Sequence, residues 1–373
     1  MSTSRTNGGP SSDGGQRVGP LYRGTGVPSD DGTPYEERAW PPGPRWRTFD
    51  GGPTQPRPPE DGEADRRLGP GSMDRKPTPA EIRMVNAAIL LRRPLLVTGR
   101  PGVGKSTLAF RIARELGLGR VLQWPVTSRT SLASGLFEYD VLGRAQAGQA
   151  WYAARNRTAG EAADGEAAPP ALDIGDFIQL GPLGTAMLPH HLPRVLLIDE
   201  LDKGDADLPN DLLSLFEDGW FAVQPLVRVK RQVENVTVYT ADPDRTAVIQ
   251  NGMVRTRSFP IVIMTSNGER EFPEAFMRRC LRLDIPEPGP EALGELVAAH
   301  FGDGLGNERE RLVREFMTRS AQVDGLAADQ LLNAAHLVTS GAYSYGEEDR
   351  AEWQAVLKAI WHPLNGDGAD WGA

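Results

Sequence analysis

LLVTGRPGVGKSTLAFRIARELG, residues 95–117, decides the fold. Leu95, Leu96 and Val97 make a short continuous apolar run of the kind a buried parallel strand shows. GRPGVGKST at 99–107 follows, and its Gly99, Gly104, Lys105 and Ser106 fit the spacing G-x-x-x-x-G-K-[ST]. STLAFRIARELG then reads as a helix with Gly117 as its stop. Strand, glycine-rich turn and helix are the context this motif requires. Its glycines let the backbone curl so that successive N–H groups converge on phosphate oxygens, and the helix N-terminus adds partial positive charge. Gly99, Pro101, Gly102, Val103 and Gly104 are therefore expected to cradle the phosphates of ATP. Lys105 bridges the β- and γ-phosphates, and the Ser106 hydroxyl is a magnesium ligand. Thr107 supports either the helix start or the phosphates.

A phosphate loop needs a carboxylate for the metal and a group that activates water. VLLIDE at 195–200 supplies both, because four apolar residues place Asp199 and Glu200 at the carboxyl end of a buried strand. Asp199 holds magnesium through water, and Glu200 is the natural general base. Asp202 and Lys203 read either as a solvated helix start or as a subunit-boundary pair. IVIMT at 261–265 is a further apolar strand; it ends in Ser266 and Asn267, so an amide lies level with the carboxylates, where it either positions water at the γ-phosphate or forms the turn before Gly268. With VLQWPV at 121–126 and CLRLDI at 280–285, five strands emerge, and the fold expected is a doubly wound parallel α/β sheet. Thr127, Ser128 and Arg129, after the second strand, either touch Glu200 or make loop hydrogen bonds. PTPAEIRMVNAAILL precedes the first strand as a helix, with Thr78 as cap and Ile82, Val85, Ala88 or Ile89 at helical spacing.

GRPGVGKST, LLIDELDK and MTSNGEREFPEAFMRRC, in this order, resemble an AAA+ ATPase of the MoxR and dynein-related branch over about residues 77–361. The resemblance implies an α/β phosphate-loop core over 77–285 with a five-stranded parallel sheet and β-hairpin insertions. A small helical lid over 286–373 follows, with HPLNGDGADWGA as a frayed tail. Asn267 is similar to a sensor 1. In relatives, an arginine after PEAF reaches the neighbouring subunit's nucleotide, so Arg278 or Arg279 is that finger, worth roughly 10³ to 10⁵ in rate. A surface ion pair is the other reading of these two arginines. The resemblance further implies a homo-oligomer, most often a hexameric ring, that hydrolyses the phosphoanhydride of ATP. Residues 143–193 and 220–259 match insertions of the branch. The first contains AARNRTAGEAADGEAAPPA, expected as a mobile loop. The second, with VTVYT and TAVIQ, is expected as hairpins, which the resemblance places near a ring pore; Phe221, Arg228 and Tyr239 read as contact residues, with core packing the equal reading of the aromatics. One position departs from the pattern: Asp329 and Gln330 stand where a lid arginine, sensor 2, is looked for, and periodicity singles out neither Arg314 nor Arg319 as a substitute.

Composition bounds the rest. The 373 residues carry 41 Lys+Arg against 50 Asp+Glu, a net charge of -9. Residues 1–76 hold 14 Gly and 12 Pro with balanced charge, so they are expected as a largely disordered arm and the whole excess of acid belongs to 77–373. Within the arm, Tyr22, Tyr35, Trp40, Trp46 and Phe49 mark either residual stickiness or a short docking element. The acidity and the absence of a basic run argue against nucleic acid as partner. One cysteine, Cys280, excludes an intramolecular disulfide. No stretch approaches the roughly 20 apolar residues that span a bilayer. A cytoplasmic protein without membrane contact is expected.

Three functions follow. The leading one is a magnesium-dependent ATPase that remodels or activates a protein client, with a von Willebrand A-domain or peptidase partner implied by the resemblance. The second is a slow-cycling, ATP-gated assembly switch or scaffold in a multi-component conflict system. The third, a restriction-type motor on DNA, is disfavoured by the charge.

Overall fold

The computed structural model describes residues 19–28, 33–60, 62–69, 77–160, 172–302, 305–322, 326–340 and 350–361. α1 (Glu63–Leu68) belongs to the N-terminal segment. α2 (Pro79–Leu91) begins where the Thr78 hydroxyl accepts from the Glu81 N–H at 3.1 Å, with Pro79 in the first turn. β1 (Leu95–Thr98), α3 (Thr107–Leu116) and β2 (Leu122–Pro125) follow. Between β2 and β5 come α4 (Leu132–Leu136) and β3 (Phe137–Tyr139), ahead of residue 143 where the first insertion is expected to begin, then α5 (Val141–Gly160), β4 (Ile178–Leu180) and α6 (Pro182–Ala186). β5 (Val195–Asp199) and α7 (Leu208–Asp218) return to the core. The second insertion is β6 (Trp220–Ala222), α8 (Gln224–Val229), β7 (Asn235–Tyr239), β8 (Thr246–Gln250) and β9 (Met253–Arg255). β10 (Ile261–Ser266), α9 (Glu274–Arg279) and β11 (Leu281–Asp284) complete the core. The C-terminal helices expected as the lid, and called the lid from here, are α10 (Pro290–Phe301), α11 (Gly306–Ser320), α12 (Ala328–Thr339) and α13 (Arg350–Ile360), around their own core of Val297, Leu312, Leu331 and Leu357.

Among the described residues the central sheet is five-stranded in the order β11-β1-β10-β5-β2, and every pair is parallel. The continuous apolar runs of β1, β5 and β10 are explained by burial on both faces. The strand between β1 and β5 is β10, whereas β2 lies at the edge beyond β5. Register sets the site: Thr98 pairs with Ser266 and Met264 with Ile198, so β1, β10 and β5 end at one level.

The insertions do not make separate hairpins. They join in a six-stranded sheet, β3-β4-β7-β8-β9-β6, where β4 runs parallel to β7. Alternation in NVTVY and TAVIQ buries Val236, Val238, Ala247 and Ile249 against Ile178 and Leu180, leaving Tyr239 and Val248 outside. Phe221 is only 6% exposed, so of its two readings the core residue holds and the contact residue does not; Arg228 and Tyr239 are exposed. The stretch expected as a mobile loop is helical up to Gly160, and its residues 161–171 lie outside the described residues, as does the tail 362–373.

The reading of residues 1–76 as a largely disordered arm is corrected for 19–28, 33–60 and 62–69, which pack on the core of their own chain. The side-chain amide oxygen of Asn86 accepts from the N–H groups of Leu21 and Tyr22 at 2.8 and 3.1 Å. Glu115 accepts from those of Arg23 and Gly26, and the Tyr22 hydroxyl donates to Glu81 at 2.7 Å. Tyr22, Tyr35 and Leu68 are buried, and Phe49 stacks on Phe259 with ring centroids 5.5 Å apart. Gly51 donates to Thr256 O at 2.9 Å, and a Cβ there would lie 1.9 Å from Arg255 O, so the chain runs against β9 where no side chain fits. Glycine and proline limit the helices of this segment to α1 and two short 3-10 turns at Tyr35–Glu37 and Arg45–Arg47, yet an extended path is held between them once acceptors of the core meet its backbone donors. Trp46 alone of the five aromatics stays mostly in solvent, at 82% exposure. Among the described residues no helix is long and apolar enough to cross a membrane.

Candidate functional site

The loop between β1 and α3 wraps Lys105. The lysine is buried, and its ammonium donates to Gly99 O at 2.8 Å, Arg100 O at 2.9 Å and the Asn267 side-chain oxygen at 2.7 Å, which uses its three protons. Burial pushes its pKa down, and the field of Asp202, Asp199 and Glu200 opposes that shift. The Thr107 hydroxyl donates to Gly104 O at 2.6 Å and ties the loop to the first turn of α3. Gly102, at φ 75°, approaches the lid so closely that a Cβ would lie 2.5 Å from the Ala327 Cβ. Ala328 N donates to Gly102 O at 3.4 Å across the same contact.

Asp199 ends β5. One of its carboxylate oxygens accepts from Ser106 at 2.7 Å and from Thr265 at 2.6 Å, which joins the loop, β5 and β10 at one atom. Glu200 takes the left-handed conformation, φ 59°, uncommon for a side-chain-bearing residue. Its N–H donates to the Thr265 hydroxyl at 2.8 Å, and its carboxylate pairs with Lys203 at 2.9 Å. The hydrogen bond to Glu200 raises the pKa of Lys203. Asp202 is buried, not a solvated helix start: one carboxylate oxygen accepts from the N–H groups of Asn267 and Glu269 at 2.9 and 3.1 Å. Asp202 thereby holds the turn that carries Asn267. Thr127 bonds to Thr130 at 3.1 Å within its own loop.

A cavity of about 360 Å³ brings together Pro101 to Thr107, Asp199, Glu200 and Asn267, while Gly99 contributes the carbonyl on Lys105. Thr265 and Asp329 also line it, with Leu293, Leu296 and Leu332 of the lid. Arg278 and Arg279 do not line it; they sit at the exposed end of α9. Arg278 pairs with Glu274 at 3.2 Å and Arg279 with Glu217 on α7. Arg314 and Arg319 do not line the cavity either. Sequence reading missed Thr265 and Asp202. Thr265 was readable as the residue two before Asn267 at a strand end, whereas the burial of Asp202 has no local signal.

The donor set suits a magnesium–nucleotide complex. Among the described residues no cluster of three or more His, Cys, Asp and Glu is placed to hold a metal by protein ligands alone. A hydroxyl and a carboxylate beside a phosphate loop are instead what magnesium takes when phosphates and water supply its other ligands.

Residues 94–280, half of the chain, match the family model of the AAA domain, dynein-related subfamily. No curated protein matches. The order β11-β1-β10-β5-β2 and the phosphate loop between β1 and α3 agree with that match. The chain is a member of the AAA domain family, dynein-related subfamily, a group of ATPase-type, nucleotide-binding proteins.

Proposed function

We propose that this protein is a magnesium-dependent ATPase of the MoxR type that works as a ring and remodels or activates a protein client. The observation that carries the reading is the joining of Ser106, Thr265 and Asp199 at one carboxylate oxygen, beside Lys105, Asn267 and Glu200 in one cavity. Loop N–H groups and Lys105 bind the β- and γ-phosphates of ATP. Ser106, and Asp199 through water, would hold magnesium, which supplies charge neutralisation of the phosphate oxygens. Asn267 orients the attacking water, and Glu200 takes its proton as oxygen bonds to the γ-phosphorus and the bond to the bridging oxygen of ADP breaks. Arg278 and Arg279 lie outside their own cavity, which supports a finger supplied to the neighbouring subunit and therefore assembly, with a hexamer as the ring. Arg278 is the better finger, because its pair with Glu274 is 75% and 90% exposed and surface pairs of this kind hold little energy.

A second reading, a slow-cycling ATP-gated switch in a conflict system, is favoured by Asp329, an acid lining the cavity where a lid arginine is expected. A von Willebrand A-domain or peptidase partner belongs to either reading. The test is steady-state ATP hydrolysis with magnesium beside Glu200→Gln, with mass measured in ATP. Turnover near one per second, lost in Glu200→Gln while assembly persists, supports the working ATPase. Negligible turnover in both proteins, with ATP-dependent assembly intact, overturns it in favour of the switch.

A further inference from the structure

One residue of the cavity wall comes from neither the phosphate-loop core nor the lid. Arg67, on α1 of the N-terminal segment, lines the cavity with Thr107 and with Ala292, Leu296 and Leu332 of the lid. α1 packs against α3. Leu68 is fully buried, and Arg114 of α3 donates to Gly69 O at 3.1 Å. A Cβ on Gly69 would lie 2.8 Å from Ala299 O, so the end of α1 also abuts α10 of the lid. The guanidinium of Arg67 is fixed from several sides. Its Nε donates to Glu63 at 2.6 Å, its Nη2 donates to Gln123 at 2.9 Å, and its central carbon lies over the Phe110 ring, 4.8 Å from the centroid. The side chain is nonetheless 37% exposed.

A planar cation whose one face is covered by an aromatic ring, beside apolar lid side chains, suits a flat aromatic ligand better than a phosphate. Its place along the sheet agrees. Gln123 pairs with Leu197, two residues before Asp199. At about 3.3 Å per residue, the anchor of Arg67 therefore falls roughly 6–7 Å short of the carboxylate level. One cavity runs from residues 101–107 to Arg67. We infer that Arg67 is a nucleotide-binding residue supplied by the N-terminal segment, and that it stacks on the nucleobase of ATP. This inference rests on the reading of residues 99–107 as the phosphate site. By linkage, the factor by which a docked segment tightens ATP equals the factor by which ATP tightens the segment.

The test uses the full chain and calorimetric binding of ATP and of inorganic tripolyphosphate, both with magnesium, to wild type, Arg67→Ala, Arg67→Lys and Lys105→Ala. Stacking on one base predicts that Arg67→Ala weakens ATP about tenfold and leaves tripolyphosphate unchanged. Arg67→Lys keeps the charge without the plane and is expected to weaken ATP in the same way. Protease protection of residues 19–69 without nucleotide reports whether α1 remains docked; if Arg67→Ala releases it, Arg67→Lys carries the decision. ATP affinity within twofold of wild type, or an equal loss for ATP and tripolyphosphate, overturns the assignment. Wild type that binds no ATP, or Lys105→Ala that binds it normally, overturns the phosphate-site reading and the Arg67 assignment with it. Normal dependence on Lys105 with no effect at Arg67 overturns the latter alone.

Discussion

Asp242→Asn tests what joins the inserted sheet to the nucleotide-binding core. Arg194 precedes β5 and its side chain is fully buried; it donates to both oxygens of Asp242, in the β7–β8 turn, at 2.6 and 2.9 Å. Arg120 adds a second guanidinium 3.6 Å from the same carboxylate. Burial works to raise the pKa of Asp242, but the hydrogen bonds and charge of Arg194 more than offset it and hold the carboxyl below its usual value. The resulting stability is present above the ordinary carboxylate pKa and is lost as pH falls through the lowered one. Asparagine keeps the volume and one acceptor yet leaves two cations beside each other without their anion. Removing one partner of a buried pair costs about 3–5 kcal/mol, a large share of the roughly 5–15 kcal/mol that holds a typical domain. Arg194→Met with Asp242→Leu removes the desolvation together with the attraction, so the double variant is expected to recover about 2 kcal/mol or more relative to the sum of the single changes. Urea unfolding of wild type, Arg194→Met, Asp242→Leu and the double variant closes the cycle, the same titration of Asp242→Asn gives its cost, and hydrogen exchange at β5 and β7 amides localises the loss. A cost below about 1 kcal/mol for Asp242→Asn, the range of a surface pair, or strict additivity would refute the pair as the joint between the sheets.

Three further outcomes are expected. Gly102→Ala places a Cβ 2.5 Å from that of Ala327 at φ 75°, so strain of about 1–3 kcal/mol should push the lid off the loop and weaken ATP about tenfold; wild-type affinity would sink the idea that this contact seats the lid. Burial, with the charge of Arg194, lowers the pKa of His190 from 6.5 to about 3, so its contribution is whole above 6.5 and falls by about 1.4 kcal/mol per pH unit as acid is added towards 3. His190→Gln should flatten the acid limb of the stability curve in urea titrations, and an unchanged slope would count against a neutral buried imidazole. Tyr22→Phe deletes a 2.7 Å hydrogen bond to buried Glu81, worth about 1.5–3 kcal/mol, and should speed amide exchange over residues 21–26 about tenfold or more while ATP binding is retained. Exchange at the wild-type rate would mean that the segment is held elsewhere.

LLVTGRPGVGKST, VLLIDE and IVIMTSN were legible because each element is local: a buried parallel strand declares itself by a short apolar run, and the residue after it falls at the strand end whatever lies far away in sequence. Five strands, their doubly wound class and the placing of residues 101–107, Asp199, Glu200 and Asn267 at one end of the sheet followed from this. Composition misled for residues 19–69, since a Gly- and Pro-rich segment reports what it cannot build alone and not what surface receives it. Asn86, Glu81 and Glu115, the acceptors that hold Tyr22 and its neighbours, lie some sixty to ninety residues away. The same distance separated β4 from β7, so hairpins were legible and one six-stranded sheet was not. Phe221 was open to either reading, contact or core, because burial of one face or the other is decided by the sheet that packs on it. Asp202 and Arg67 carry no motif; register at the ends of β5 and β10 gave the first its buried partners, and the seat of α1 between α3 and α10 brought the second to the cavity lined by residues 101–107. Periodicity and motif spacing thus determined the elements and their chemistry, while contacts between segments far apart in sequence, which close only when the chain folds as a whole, decided what surrounds the site.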